Sequence, residues 1–328
     1  MKVLLYCQVP FMLAHGGAQI QIEQTKAALE QQGVEAEWLR WWDGGQTGDI
    51  LHYFGRMSPA LMELAQRKGM KVVMADLLTA QGSRPAWRRK MQKAAMGLIS
   101  RTAGGLIGSL NWRAYRQADA LVALTEWEAF LMSDLFGAPP DRIHVIPNGV
   151  EEAFLRSVPR ERGSWLVCTA TITERKRVLE LAEAALIAQT PLWVIGKPYS
   201  EADPYGRRFV ELARQNPKLL RYEGAINDRA RLATIYREAR GSVLLSTMES
   251  LSLSALEAAA CECPLLLSDL PWARTVFGKD VSYCAITGAR ETAGILRQFY
   301  DAAPRLGVPP KPLSWAEVAE KLTAVYRE

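Results

Sequence analysis

The chain has 328 residues, 49% apolar and 23% charged, with a mild net charge of +5. This is the balance of a soluble globular protein, and the length exceeds one average domain, so two domains are expected. Five cysteines, an odd number set mostly inside apolar runs, argue against a disulfide framework and for reduced thiols in a cytosolic setting, and no run of ~18 apolar residues is present to span a membrane.

The first apolar run, residues 3–7, reads as a buried strand rather than a signal peptide, because Gln8 and Pro10 end it too early. His15-Gly16-Gly17 opens a helix with apolar positions at Ala18, Ile22 and Leu29 and a stop at Gly33. Strands follow at 34–39, 50–54 and 71–74, with a helix over 59–68 before the last of them. Strand, glycine turn and helix in alternation predict a doubly wound parallel sheet.

Residues 84–118 break this rhythm. Arg84, Arg88, Arg89, Lys90, Lys93, Arg101, Arg113 and Arg116 are basic, and no acid occurs between Asp76 and Asp119. Trp87, Met91, Met96, Leu98, Ile99, Leu106, Ile107, Leu110 and Trp112 interleave with them. The composition fits an amphipathic segment on an anionic membrane, and equally a helix pair whose polar face is basic. Nucleic acid is not expected, since no recognised binding module accompanies the charges.

A strand over 118–124 and a helix through Phe136 resume the pattern. Residues 142–150 form a short strand closed by a turn at Pro147 and Asn148-Gly149, and the polar segment 151–163 reads as a linker. The second half repeats the scheme, with strands at 165–169, 192–195, 219–222, 242–245 and 264–268. Helices near 177–188, 205–215, 229–239 and 254–262 separate them, and Ser314 with Glu317 caps a final helix. The expected organisation is α/β: one Rossmann-like domain over 1–158, onto which helix 313–328 returns, and a second over 159–312, the two facing an interdomain cleft.

Several chemistries lack their signatures. Gly16-Gly17 is not G-x-G-x-x-G, no Walker loop is present, and three histidines, His15, His52 and His144, supply a hydrolase triad poorly. His144 lies inside an apolar strand and reads as structural. Cys261-Glu-Cys263 has no second half with zinc spacing, so no metal site is expected. The stretch Ser246–Glu257 is different. It follows the apolar run 241–245 and leads into a helix beginning near Ser252, whose open first-turn amides suit a phosphate, with Glu249 before the helix and Glu257 in its second turn. Two carboxylates around a phosphate site fit a ligand with hydroxyls on either side of its phosphates, such as a nucleotide sugar. A capped helix with two solvated glutamates fits the stretch equally well.

Taken in order, these segments resemble the retaining, sugar-nucleotide-dependent glycosyltransferases of family 4, group 1, which have the GT-B fold. Gly16-Gly17-Ala18 is similar to that family's N-terminal glycine loop, and Val145–Val150 to its domain-linking segment. Glu249 and Glu257 match its E-x7-E motif, and Ala258–Pro264 followed by Ser268-Asp269 matches its continuation. The segment from Ser314-Trp315 resembles its terminal helix, so the resemblance covers nearly the whole chain.

The resemblance implies roles residue by residue. Glu257 would bind the donor ribose, and Glu249 would lie by the transferred sugar and diphosphate. The amides of Leu251, Ser252, Leu253 and Ser254 would hold phosphate with Lys176 and the neighbouring Arg175, while Gly16 and Gly17 approach from the first domain and Gly224 belongs to the loop against the base. His15 and Asp76 are the acceptor-side candidates. The chain departs from the family at Ala170 and Thr171, where Gly-Arg is usual, at Ser250 and Ser252 within E-x7-E, at Thr275, and in lacking a histidine near 75–79. The implied activity is transfer from a nucleoside-diphosphate sugar to a glycan or lipid-linked acceptor, without cofactor or metal. The setting is cytoplasmic, with contact to anionic membrane through 84–116 at its inner face. A catalytically weak relative that binds sugar nucleotide or glycan is the alternative, and a sugar-nucleotide epimerase a third.

Overall fold

The computed structural model describes residues 1–8, 11, 16–102, 111–158 and 161–328. The chain divides into two units: Met1–Asn148 together with Trp315–Glu328, and Gly149–Ser314.

The first unit is built on β1 (Lys2–Cys7), β2 (Glu35–Trp38), β3 (Ile50–Phe54), β4 (Lys71–Ala75), β5 (Ala120–Ala123) and β6 (Ile143–Val145). They form one six-stranded parallel sheet in the order β2-β1-β3-β4-β5-β6. Its helices are α1 (Gly17–Gln31), α2 (Pro59–Arg67), α3 (Thr79–Gly82), α4 (Ala86–Thr102), α5 (Ala114–Gln117) and α6 (Glu126–Phe136). With helices on both faces, the central strands lose their alternation; every residue of β3 is buried, His52 among them. The strand order reverses between β1 and β3, so the loops after these two strands diverge and leave a crevice at their carboxyl ends.

The second unit contains β7 (Leu166–Thr169), β8 (Leu192–Ile195), β9 (Leu220–Tyr222), β10 (Gly241–Leu244), β11 (Leu265–Ser268) and β12 (Ser282–Cys284). Its helices are α7 (Glu152–Leu155), α8 (Val178–Ala188), α9 (Pro204–Gln215), α10 (Arg229–Glu238), α11 (Leu253–Ala260), α12 (Pro271–Phe277) and α13 (Ala289–Ala302). The parallel order β12-β11-β10-β7-β8-β9 reverses between β7 and β10. These two strands pair directly, Gly241 with Leu166 and Ser242 with Val167, which makes the loops behind them neighbours.

The last helix, α14 (Trp315–Arg327), belongs to the first unit and packs on α1. Trp315, Val318, Ala319, Leu322, Val325 and Tyr326 are buried at helical spacing. Polar ties fix its register: Gln32 Nε2 donates to the Ala316 carbonyl at 2.7 Å, Lys71 Nζ to the Val325 carbonyl at 2.6 Å, and the Tyr326 hydroxyl meets His52 Nδ1 at 2.6 Å.

The structure departs from the sequence expectations in three places. The first division falls at 148/149 rather than 158/159, because the segment read as a linker contains α7. There Phe154 is fully buried, with its ring 6.2 Å from that of Tyr236 and the Arg229 guanidinium 4.7 Å over it. One buried aromatic in a four-residue turn of helix leaves no periodicity to read. Second, β12, α12 and α13 go beyond the elements expected, and the first two are too short for a pattern to identify. Third, the basic stretch is partly tied down. Lys93 pairs with Asp134, Arg89 stacks over Trp127 at 4.6 Å, and Met96 and Trp112 pack on the core, while Trp87 and Met91 are exposed. Leu106, Ile107 and Leu110 of that stretch lie outside the described residues. The cysteines behave as core residues: Cys168, Cys261, Cys263 and Cys284 are buried, and burial pushes the first three thiols up to about 12.

Candidate functional site

The loops at the reversal point of the second sheet bring together residues far apart in sequence. After β7 the chain makes a 3-10 turn over Glu174–Lys176, and Arg177 then adopts a left-handed conformation (φ 53°) before α8 begins. After β10 the chain bends at Thr247, whose amide donates to the Arg175 carbonyl at 2.8 Å. This stitch places both side chains at the end of the first loop against Glu249. Lys176 Nζ forms an ion pair with Glu249 Oε1, and Arg175 Nη1 lies 3.2 Å from the same oxygen and 2.8 Å from the Met248 carbonyl. Glu249 is 8% exposed. Burial by itself pushes its carboxyl up, but the charges of Lys176 and Arg175 outweigh it, so the group sits below its ordinary range and is ionised at neutral pH.

Two arginines flank Lys176, and either could supply the positive charge that Thr171 lacks. The structure separates them: Arg175 joins Lys176, whereas Arg177 is buried elsewhere and donates to the Thr287 carbonyl. Behind Glu249, Leu251 and Ser252 are buried and α11 begins at Leu253. Ser252 caps the helix by accepting from the Ala255 amide at 3.4 Å, and its hydroxyl lies 3.1 Å from that of Ser254. The remaining first-turn N–H groups of α11 have no carbonyl to bond within the helix, which leaves positive partial charge at a helix start four residues beyond Glu249.

Glu257, one turn into α11, is 4% exposed and meets Arg229, the first residue of α10; Arg229 Nε also lies 2.8 Å from Glu151 Oε1. Burial pushes the Glu257 carboxyl up to about 7 even though Arg229 opposes the shift, and Glu151 adds to it. Glu151 and Arg229 were not found by sequence reasoning. Arg229 follows the helix cap Asp228 and looks like an ordinary first-turn charge; its partners are 28 and 78 residues away. Gly224 (φ 81°) follows β9, and its carbonyl accepts from the Gly196 amide at 2.9 Å. Gly196 (φ 151°) is a third residue missed: a Cβ there would lie 1.9 Å from the Ala170 carbonyl oxygen, so only glycine lets these two strand ends approach.

In the first unit, Gly16 (φ 145°) and Gly17 open α1 at the carboxyl end of β1, with no side chain capping the helix. His15 lies outside the described residues. Asp76 follows β4 and is already engaged. Arg56 Nε lies 3.1 Å from Oδ2, the buried Tyr115 hydroxyl donates to the same oxygen, and the Arg56 guanidinium stacks 4.9 Å over Phe136. Burial pushes the Tyr115 phenol far up, and the Asp76 charge adds to that. Asp76 is thus already bonded to two side chains. Among the described residues, no group of three or more His, Cys, Asp or Glu has metal-binding geometry, and no helix is long and apolar enough to cross a membrane.

Two family models match consecutive parts of the chain: a glycosyl transferase 4-like domain over residues 36–149, and glycosyl transferases group 1 over 163–300. The chain belongs to the group 1 glycosyltransferases of family 4. A D-inositol 3-phosphate glycosyltransferase from Xylanimonas cellulosilytica is 30% identical over 259 residues, 72% of this chain and 56% of that protein. The chain thus matches little more than half the length of the curated relatives it resembles. Among solved structures, sucrose-phosphate synthase from Thermosynechococcus elongatus superposes with a TM-score of 0.67 at 16% identity, covering 100% of this chain and 98% of that one. Anabaena HepE in complex with UDP gives 0.65 at 14%, covering 99% and 94%. At these identities the likeness establishes the fold, GT-B, with two six-stranded parallel sheets.

Proposed function

We propose that this chain transfers a sugar from a nucleoside-diphosphate sugar to a glycan or lipid-linked acceptor, with retention of anomeric configuration. The observation that carries the reading is the meeting of Lys176, Arg175 and Glu249 at the reversal point of the second sheet, with α11 beginning four residues beyond Glu249. A diphosphate leaves when the charge developing on it is met by preorganised cations and amide dipoles. Lys176, Arg175 and the 251–254 amides are the groups for that task, in place of a metal ion; turnover that survives EDTA tests this part. Glu257 accepts from the donor ribose hydroxyls. Glu249, held by two cations, orients the donor rather than attacking it, and a covalent sugar trapped on Glu249 by peptide mass spectrometry would overturn that role. The UDP bound by HepE supports a uridine donor as the first to try.

The decisive experiment offers UDP-, GDP- and ADP-sugars with an acceptor panel and follows nucleoside diphosphate release. Release by the wild type that is lost in Lys176→Ala and Glu257→Ala supports the reading; wild-type turnover in both variants refutes it. The engagement of Glu257 by Arg229, together with Thr171 in place of an arginine, favours a second reading as a binding module. Calorimetric binding of nucleotide with no transfer across the panel would establish that one. Exposed Trp87 and Met91 beside Arg88 and Lys90 support peripheral contact with anionic membrane, read by flotation with anionic against neutral vesicles.

A further inference from the structure

The loop between β2 and β3 holds two adjacent indoles out in water: Trp41 is 79% exposed and Trp42 68%. Their rings stand 5.5 Å apart at 85°, so together they present a face and an edge in a fixed corner. Trp38, 39% exposed at the end of β2, continues the aromatic surface and meets Phe11 edge-on at 5.9 Å.

The backbone beneath these rings is held by polar bonds. Arg40 donates from Nε and Nη2 to Asp43 Oδ2 at 3.0 and 2.9 Å, and from Nη1 to Glu37 Oε2 at 3.0 Å. Gln46 donates to the same Glu37 oxygen at 2.9 Å and to the Trp38 carbonyl at 3.0 Å, while its Oε1 accepts from the Arg40 amide at 2.8 Å. A loop ordered in this way has already lost the entropy that a flexible one would lose on binding. Its position is equally specific. β2 is the edge strand beside β1, all strands run parallel, and the start of the loop, which carries Trp41 and Trp42, therefore leaves the sheet at the same end as Gly16-Gly17 and Asp76.

Resting on the glycosyltransferase reading, we propose that Trp41 and Trp42 are the stacking platform for pyranose rings of a neutral carbohydrate acceptor. The apolar C–H face of a pyranose fits the negative face of an indole. Glu37, which takes bonds from Lys2, Arg40 and Gln46, and Asp43, which takes them from Arg40 and the Gly45 amide, each keep about one lone pair for a sugar hydroxyl. Charge argues against an anionic occupant: Arg40 is the one cation in residues 38–49, and its guanidinium is spent on Glu37 and Asp43. Lys2, the other cation on Glu37, is likewise spent on Glu35 and Glu37, so a phosphate or an anionic lipid surface would meet carboxylates with no unpaired cation to answer it.

The test measures binding of the full chain, without donor, to immobilised gluco-, manno-, galacto- and chito-oligosaccharides and to anionic and zwitterionic vesicles. The wild type is expected to retain at least one neutral oligosaccharide. The double variant Trp41→Ala/Trp42→Ala is expected to bind it about tenfold more weakly with an unchanged melting temperature, and Trp41→Phe/Trp42→Phe to stay within about threefold, because the stacking face survives. The proposal is overturned if the wild type binds none of the oligosaccharides, if the alanine variant binds as the wild type does, or if its loss appears on vesicles alone. Failure of the transferase reading is a separate result, seen as no nucleoside diphosphate release by the wild type.

Discussion

Lys176 and Glu249, 73 residues apart in the chain, form a largely buried ion pair, with side chains 12% and 9% exposed. Adjacent strands in a reversed order bring them together. Removing one partner leaves the other charge buried, with Arg175 as partial compensation for Glu249. Lys176→Met should therefore lower stability by about 2–3 kcal/mol and reduce diphosphate release at least a hundredfold. A double-mutant cycle with Glu249→Gln, read by denaturant unfolding, separates the two effects. A coupling energy near zero would show that the pair contributes nothing to the fold.

Glu257 titrates near neutrality, and in the proposed role its ionised form is the one that would accept from both ribose hydroxyls. With its carboxyl at about 7, affinity for UDP should rise between pH 6 and 8 and then level off. In Glu257→Gln that rise should be missing, and binding at pH 8 about tenfold weaker. The titration of UDP itself is common to both proteins and cancels. Parallel affinity curves in calorimetry would exclude Glu257 from the ribose.

His52 makes the anchoring of α14 sensitive to acid. Burial lowers its folded value from 6.5 to about 3, so below 6.5 the unfolded chain takes up a proton that the folded chain refuses. The stability lost is about 1.4 kcal/mol per pH unit until the folded value is reached, or about 2 kcal/mol at pH 5. Thermal melts at pH 7 and 5 should show this loss in the wild type and a smaller one in His52→Gln, which still offers Tyr326 a hydrogen-bond partner. Equal losses in both proteins would place the acid sensitivity elsewhere.

Gly196 is predicted to tolerate no side chain. Ala at this position would combine an unfavourable φ of 151° with a Cβ on top of the Ala170 carbonyl, a loss of about 2–4 kcal/mol. Chemical denaturation of Gly196→Ala measures it, and a loss below about 0.5 kcal/mol would mean the backbone shifts freely there.

Periodicity and turn residues were enough to place two doubly wound sheets in the chain, because a strand buried on both faces and a glycine-punctuated helix are written in consecutive residues. The spacing of Glu249 and Glu257 around the start of α11 is local in the same sense, as is the turn that carries Arg175 and Lys176. What these groups pair with is not local. That Arg175 rather than Arg177 reaches Glu249, that Arg229 and Glu151 stand against Glu257, and that Tyr115 and Arg56 occupy Asp76 all depend on which strands are neighbours. The boundary at 148/149 has the same origin, since Phe154 finds its burial on Tyr236, far along the chain. The sequence by itself determined the elements and the charged groups available; the strand order, reversing between β7 and β10, decided which charges meet, because ion pairing falls off within a few ångströms and only the packed sheet brings residues 73 positions apart that close.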